Sequence, residues 1–177
     1  FELSTLTRYW RQIPRDITIR GAGMNKTLLV LDNLSPNSAV ANFRLEDCTV
    51  HAEGGIFDAR RSAVAMTALR VRATGFDTGA GKSALFDMKR GMALHWIDCI
   101  VAGGYGRSPA TGKLLGTATD AHLARFDRCR FERLDLSLRQ ARDATLVFAD
   151  CFFEDLTGTD DPLVTGALFS GLMFPQS

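Results

Sequence analysis

Five stretches of this 177-residue chain repeat one short frame, and that frame limits the fold more than any single motif does. An apolar pair two residues apart is followed by a turn residue, a cysteine, any residue and a further apolar residue. The copies are Phe43-Arg44-Leu45-Glu46-Asp47-Cys48-Thr49-Val50, then Leu94 to Val101 around Cys99, Ala124 to Phe131 around Cys129 and Leu146 to Phe153 around Cys151. Leu69 to Phe76 reads as a fifth copy with Thr74 in the cysteine slot, which sets the slots 26, 25, 30 and 22 residues apart. Segments this short cannot bury a face alone, so such a period predicts a solenoid in which each coil completes its neighbour's core.

Apolar residues two apart argue for strands, because helical repeats would place them three and four apart. Val, Ile, Phe and Thr are frequent in these segments, which suits strands, and glycines punctuate the connections. The change of phase between the apolar pair and the cysteine requires a one-residue bend between two short strands, so that Leu45 and Cys48 both point inward. The residue at the bend is Asp47, Asp98 or Asp150 in three copies. Aspartate is one of the few non-glycine residues that tolerate a left-handed backbone, so these acids read as turn formers before they read as catalysts.

A weaker register lies between the copies: Ile56-Phe57-Asp58, Leu85-Phe86-Asp87, Leu114-Leu115-Gly116 and Leu136-Ser137-Leu138-Arg139. It supplies a third strand per coil. Phe57, Phe86 and Leu115 are 29 residues apart at each step, which stacks Asp58 on Asp87 and Arg60 on Lys89 along one outer face.

The expected fold is therefore all-β: a right-handed parallel β-helix of about six coils with three short parallel sheets, forming one domain over residues 1–177. An apolar content of 46% is enough for a continuous core. The 21 basic and 20 acidic residues leave a net charge of +1, which argues against nucleic acid as a partner. No run approaches 18 apolar residues, so no membrane span is expected.

Four cysteines allow three disulfide connectivities. Their shared slot argues for none of them. Equivalent inward positions in adjacent parallel coils lie about 4.8 Å apart with parallel side-chain vectors, whereas a disulfide needs a roughly perpendicular dihedral. Free thiols packed as small apolar groups are expected, and thiols stacked in a dry core leave no tetrahedral opening for zinc.

Other motifs fall away on inspection. Gly79-Ala80-Gly81-Lys82-Ser83 lacks the first glycine of a phosphate loop and is followed by a strand pattern rather than a helix. Gly21-Ala22-Gly23 lacks the third glycine of a dinucleotide fingerprint and reads as a turn between strands. His51, His95 and His122 occur singly, without metal-ligand spacing, and His95, alternating with Leu94 and Trp96, should face solvent.

Asp16-Ile17-Thr18-Ile19-Arg20-Gly21-Ala22-Gly23-Met24-Asn25-Lys26-Thr27-Leu28-Leu29, together with the strand, turn, cysteine, strand copies, resembles the right-handed parallel β-helices of the pectate-lyase-like superfamily. Phe1-Glu2-Leu3 resembles the tail of the segment that follows the N-terminal capping helix in that family, and that helix is missing here. An uncapped solenoid end exposes core and strand edges, so the chain is expected to be part of a longer protein, with self-association or further segments covering its ends. The resemblance implies an extracellular or cell-surface setting. It also implies a polysaccharide partner and an active groove on an outer sheet face, with Ca²⁺ as an optional cofactor held by carboxylates.

The outer face that best meets those terms carries Asp58, Arg60, Asp87, Lys89 and Arg139 as catalytic candidates and Arg61 and Arg90 as substrate-binding candidates. An acidic polysaccharide needs cations to neutralise its carboxylates, and β-elimination needs a base to take the proton beside them. Asp58 and Asp87 could also imitate a Ca²⁺ site. The competing reading is a solvated ladder of ion pairs between coils. The longest coil adds Tyr105 and Arg107 in a glycine-rich insertion, an aromatic plane and a donor suited to a sugar ring. The hydrolase pattern of the same superfamily is missing, and Asp160-Asp161 precedes Pro162 in a connecting stretch. Any enzymatic reaction is thus expected to be a polysaccharide lyase's elimination rather than a glycoside hydrolase's hydrolysis. The alternative is a non-catalytic structural or adhesive β-helix, such as a surface protein or tail-spike-like segment, and fold alone does not choose between them.

Overall fold

The computed structural model describes residues 16–30, 42–51, 57–58, 64–74, 84–87, 92–103, 112–115, 122–135, 144–157 and 168–170. The first coil contributes β1 (Asp16–Arg20) and β2 (Leu28–Val30), the second β3 (Asn42–His51) and β4 (Phe57–Asp58), and the third β5 (Val64–Thr74) and β6 (Ala84–Asp87). The fourth contributes β7 (Met92–Ile97), β8 (Ile100–Ala102) and β9 (Gly112–Leu115), the fifth β10 (His122–Asp127) and β11 (Arg130–Asp135), and the sixth β12 (Ala144–Ala149) and β13 (Phe152–Thr157). β14 (Leu168–Ser170) opens a seventh.

Each strand pairs in parallel with its counterpart one coil on, and the pairings join into one curled sheet with no helix among the described residues. The first strand column runs β1, β3, β5, β7, β10, β12, β14. This is an all-β, parallel β-helix-like solenoid.

Register places the repeated apolar residues in columns. Leu45, Ala68, Trp96, Phe126 and Phe148 follow one another in register, and none of them exposes any surface. After the bend, Leu29, Val50, Ala73, Val101, Phe131 and Phe153 form the next inward column. Small residues sit beside large ones: Ala68 and Ala73 share a coil, and Trp96 lies directly above Ala68. Toward the other end the core is a block of rings. Phe126 stacks on Phe148 at 5.3 Å, Phe131 stacks on Phe153 at 5.0 Å, and Phe126 meets Phe131 edge-on at 5.1 Å. Truncating one such buried ring to alanine typically costs about 3–5 kcal/mol.

The bend between the first two strands is one residue in the left-handed region. Asp47, Arg70, Asp98, Arg128 and Asp150 have φ of 52°, 51°, 53°, 51° and 52°. The aspartates thus occupy the turn that their chemistry suits. Each following slot holds Cys48, Val71, Cys99, Cys129 or Cys151, all buried, and the cysteines are free. The slot suits a thiol for a local reason, since the bend leaves carbonyls pointing inward. The thiol of Cys151 lies 3.4 Å from the carbonyl oxygens of both Ala149 and Phe126, and that of Cys129 lies 3.4 Å from those of Asp127 and Trp96.

One sequence assignment is corrected here. Val71, not Thr74, pairs with Cys48 and fills the slot, and Arg70 is the bend residue. The steps are therefore 23, 28, 30 and 22 residues. The displacement arises because this coil lacks the chemical marks of the others: its corner is arginine, its slot is valine, and alanines fill the flanking inward positions.

A second corner appears in the fifth coil. Arg133, at φ 52°, turns β11 so that Arg130 to Glu132 pair with β8 while Leu134 and Asp135 pair with Gly112 and Lys113 of β9. Two glycines pack beneath left-handed corners. Gly21 donates its N–H to the Glu46 carbonyl at 2.8 Å, and Gly103 donates to the Glu132 carbonyl at 2.9 Å. A Cβ on either would lie under 3.0 Å from the carbonyl oxygen of the corner residue above, Asp47 or Arg133.

Candidate functional site

The third strand column follows the spacing in the sequence. β4 pairs with β6, setting Phe57 opposite Phe86 and Asp58 opposite Asp87, and β6 pairs with β9, setting Phe86 opposite Leu115. Asp58 and Asp87 therefore occupy equivalent backbone positions one coil apart. Arg60, Arg61, Lys89, Arg90, Tyr105, Arg107 and Arg139 lie outside the described residues, as do Gly79 to Ser83 and Asp160-Asp161.

Charge on the described surface is organised around carboxylates that take cations from two directions. On the outer face of the first sheet, Glu46 accepts hydrogen bonds from Nε of Arg44, two residues earlier in its own strand, and from Nε of Arg20, opposite it in the preceding coil. The two arginines leave Glu46 3% exposed, and the bonds to Arg20 and then Arg44 hold its carboxyl below the usual range. Three coils on, Asp127 gathers its partners in a similar way. Nε of Arg125, again two residues earlier, donates to Asp127 Oδ1 at 3.0 Å and Oδ2 at 2.9 Å. The second arm is not arginine. Nε2 of His95 in the preceding coil donates to Asp127 Oδ2 at 2.7 Å. Asp127 exposes 13% of its side chain, His95 44% and Arg125 50%, so the acid lies beneath and the nitrogen bases stand open. Its carboxyl is lowered chiefly by Arg125, with partial burial opposing and His95 adding to the effect.

The corner residues form a parallel series. Arg70 grips Asp47 with Nε and Nη2 at 2.6 and 2.8 Å, and Arg128 grips Asp98 in the same way at 2.6 and 3.0 Å. Each fork lowers the aspartate's carboxyl. On the second sheet, Arg130 reaches Glu132 at 2.6 Å and Glu154 at 2.7 Å, with its guanidinium carbon 5.0 Å from the centre of the Phe152 ring. Glu132 and Glu154 are in register, so one arginine neutralises two stacked acids.

No group of three or more His, Cys, Asp or Glu among the described residues is placed to hold a metal ion. Burial pushes the Cys48 thiol up to about 11. No described helix is long and apolar enough to cross a membrane.

His95 does face outward as its alternation requires, but it is not simply solvated, because Asp127 holds it. The signal for this pair was present in the chain. Arg44-Leu45-Glu46 and Arg125-Phe126-Asp127 occupy the same place in the frame, and His95 lies one coil below the second. Comparison with protein-family models, with curated proteins and with solved structures finds no match for the chain.

Proposed function

We propose that this protein is a β-helix of the pectate-lyase-like kind that holds an acidic polysaccharide against an outer face, outside the cell or at its surface, and that any cleavage proceeds by β-elimination rather than hydrolysis. The observation that supports the reading best is the third column. Asp58 and Asp87 repeat in register one coil apart, and the sequence sets Arg60 and Lys89 two residues beyond them. A periodic row of acids and bases along the solenoid suits a periodic anionic polymer, with cations for its carboxylates and a base for the adjacent proton. Tyr105, Arg107, Arg61, Arg90 and Arg139 extend that surface in the sequence, and the two aspartates are the donors through which Ca²⁺ would join it.

The test incubates the protein with polygalacturonate, alginate and hyaluronan, reading retention in affinity gels and the ultraviolet absorbance of an unsaturated uronate. Retention by at least one polymer, weakened when Arg60 and Lys89 are both changed to alanine, is expected. Absence of retention by all three would overturn the reading.

A second reading has its own observation. Asp47, Asp98, Glu46, Asp127, Glu132 and Glu154 are each neutralised by an arginine, several of them across coils. A surface whose charges are spent on one another suits a rigid structural or adhesive rod, and retention without product would favour it.

A further inference from the structure

The Glu46 and Asp127 clusters do the same structural work with different parts. Both hold an acid on the outer face between a residue of its own strand and one of the coil before, and in the Glu46 cluster two arginines suffice. Joining the coils therefore does not require histidine. At Asp127, one arm is an imidazole, whose second ring nitrogen can take up and release a proton, which a guanidinium does not do.

The hydrogen bond fixes the imidazole's tautomer. Asp127 is ionised and so only accepts, which obliges Nε2 of His95 to carry the hydrogen and, in the neutral ring, leaves the lone pair on Nδ1. That is the arrangement of a general base with a carboxylate behind it. The surroundings keep it accessible. In register beneath His95 lies Thr67, and along the adjacent outward column lie Ala65 and Ala93, short side chains that leave the imidazole standing above its floor. Among the described residues, the charged groups that face it across the strand pairing come from the next coil, Arg125 and Asp127; Thr67 and Leu69 of the coil before and Ala93 and Ile97 of its own strand contribute none. Arg125 spends Nε on Asp127, and its Nη groups make no hydrogen bond to a described residue.

We propose that His95, held by Asp127 and flanked by Arg125, is a proton-transfer site on the outer face of the first sheet, acting on a uronate unit of an acidic polysaccharide. The proposal rests on the polysaccharide reading above, but it moves the reacting centre away from the third column. The Nη groups of Arg125 pair with the uronate carboxylate, which acidifies the neighbouring C–H. Nδ1 of His95 takes that proton, and the C–H electron pair becomes the new C=C bond. The C–O bond to the next sugar breaks with its pair on the leaving oxygen, which receives the proton from the imidazolium and returns the ring to neutral. Asp127 is a positioning residue throughout.

The experiment uses the full chain with polygalacturonate, alginate and hyaluronan and reads unsaturated product and retention separately. His95→Gln removes the base. His95→Arg is more incisive, because it keeps a cation on the preceding coil within reach of Asp127, from the position opposite Arg125, and so preserves the ion pair across the coils while removing the base. Both are expected to lower kcat/KM at least about 100-fold, the usual scale of general-base catalysis, with retention unchanged. Asp127→Asn is expected to lower kcat with retention unchanged, because the imidazole loses the carboxylate that orients it, and Asp127→Glu to restore part of the loss. Turnover that survives in His95→Arg would overturn this site and leave the polysaccharide reading intact. Retention without turnover by the unmodified protein would also overturn it alone, whereas absence of retention would remove both.

Discussion

The first corner of a coil is a left-handed residue in every coil from the second to the sixth, whereas the second corner is described at one left-handed residue, Arg133 of the fifth coil. At the first corner the strand pairing hardly pauses. Asp98 N–H donates to the Asp127 carbonyl at 3.0 Å, Arg128 N–H to the Ala149 carbonyl at 2.8 Å, and the residues on either side stay in register. In the sequence, residues 52–56, 75–83 and 103–111 lie between β3 and β4, β5 and β6, and β8 and β9. An insertion at the first corner would break hydrogen bonds to both neighbours and displace a buried slot. The stretch between β8 and β9 carries Tyr105 and Arg107 in the sequence. The difference separates the part of the coil that sets geometry from the part free to acquire a task.

The largest effect expected from this contrast is at the glycines beneath the corners. Gly103→Ala would drive a Cβ into the Arg133 carbonyl and crowd Leu134, and Gly21→Ala would meet the Asp47 carbonyl and Thr27. Each should cost about 3 kcal/mol, the upper part of the usual range for overpacking, read as a lower urea midpoint. A loss under about 1 kcal/mol would mean the corners yield more than their recurrence suggests.

Next in size is the residue at the bend. Asp98→Val places a β-branched side chain at φ 53° and removes the fork with Arg128, so a loss of about 2 kcal/mol is expected. Asp98→Asn keeps a residue that tolerates the bend and should lose less than about 1 kcal/mol. Equal losses in a thermal unfolding series would show that charge, not backbone, sets the corner.

Acid titration gives a smaller and more gradual effect. Arg70 and Arg128 hold the carboxyls of Asp47 and Asp98 below their usual range, so this stabilisation is complete above that range and is lost as pH falls through it toward the depressed values. Unfolding midpoints should stay level from neutral pH to about pH 5 and then fall. Arg70→Gln with Arg128→Gln should flatten that fall.

Smallest is Arg70→Gly. Relief of a left-handed side chain, about 1 kcal/mol, is offset by lost contact with Asp47 and a more flexible unfolded chain. A net change within about 0.5 kcal/mol is expected in the same urea assay.

Much of this fold was legible because the frame marks itself. Cys48, Cys99, Cys129 and Cys151 stand where the bend points carbonyls inward, and an aspartate precedes three of them, so residue type alone revealed both the phase change and its cause. Where the marks vanish, as at Arg70 and Val71, only hydrogen-bond register could place the coil. The third column was equally plain, since Phe57, Phe86 and Leu115 keep a constant step. His95 and Asp127, 32 residues apart, become neighbours through the 30-residue step from Cys99 to Cys129, which sets His95 opposite Arg125; without that step their separation alone says nothing.

The row of bend residues carries an implication for how such a chain can lengthen. From Asp47 through Arg70, Asp98 and Arg128 to Asp150, the sign of the charge alternates at each coil. Copying a single coil would set two like charges against each other across one interstrand gap of about 4.8 Å, while copying an adjoining couple would preserve the alternation. At this edge, growth or loss by an even number of turns is favoured, because it keeps every acid beside an arginine.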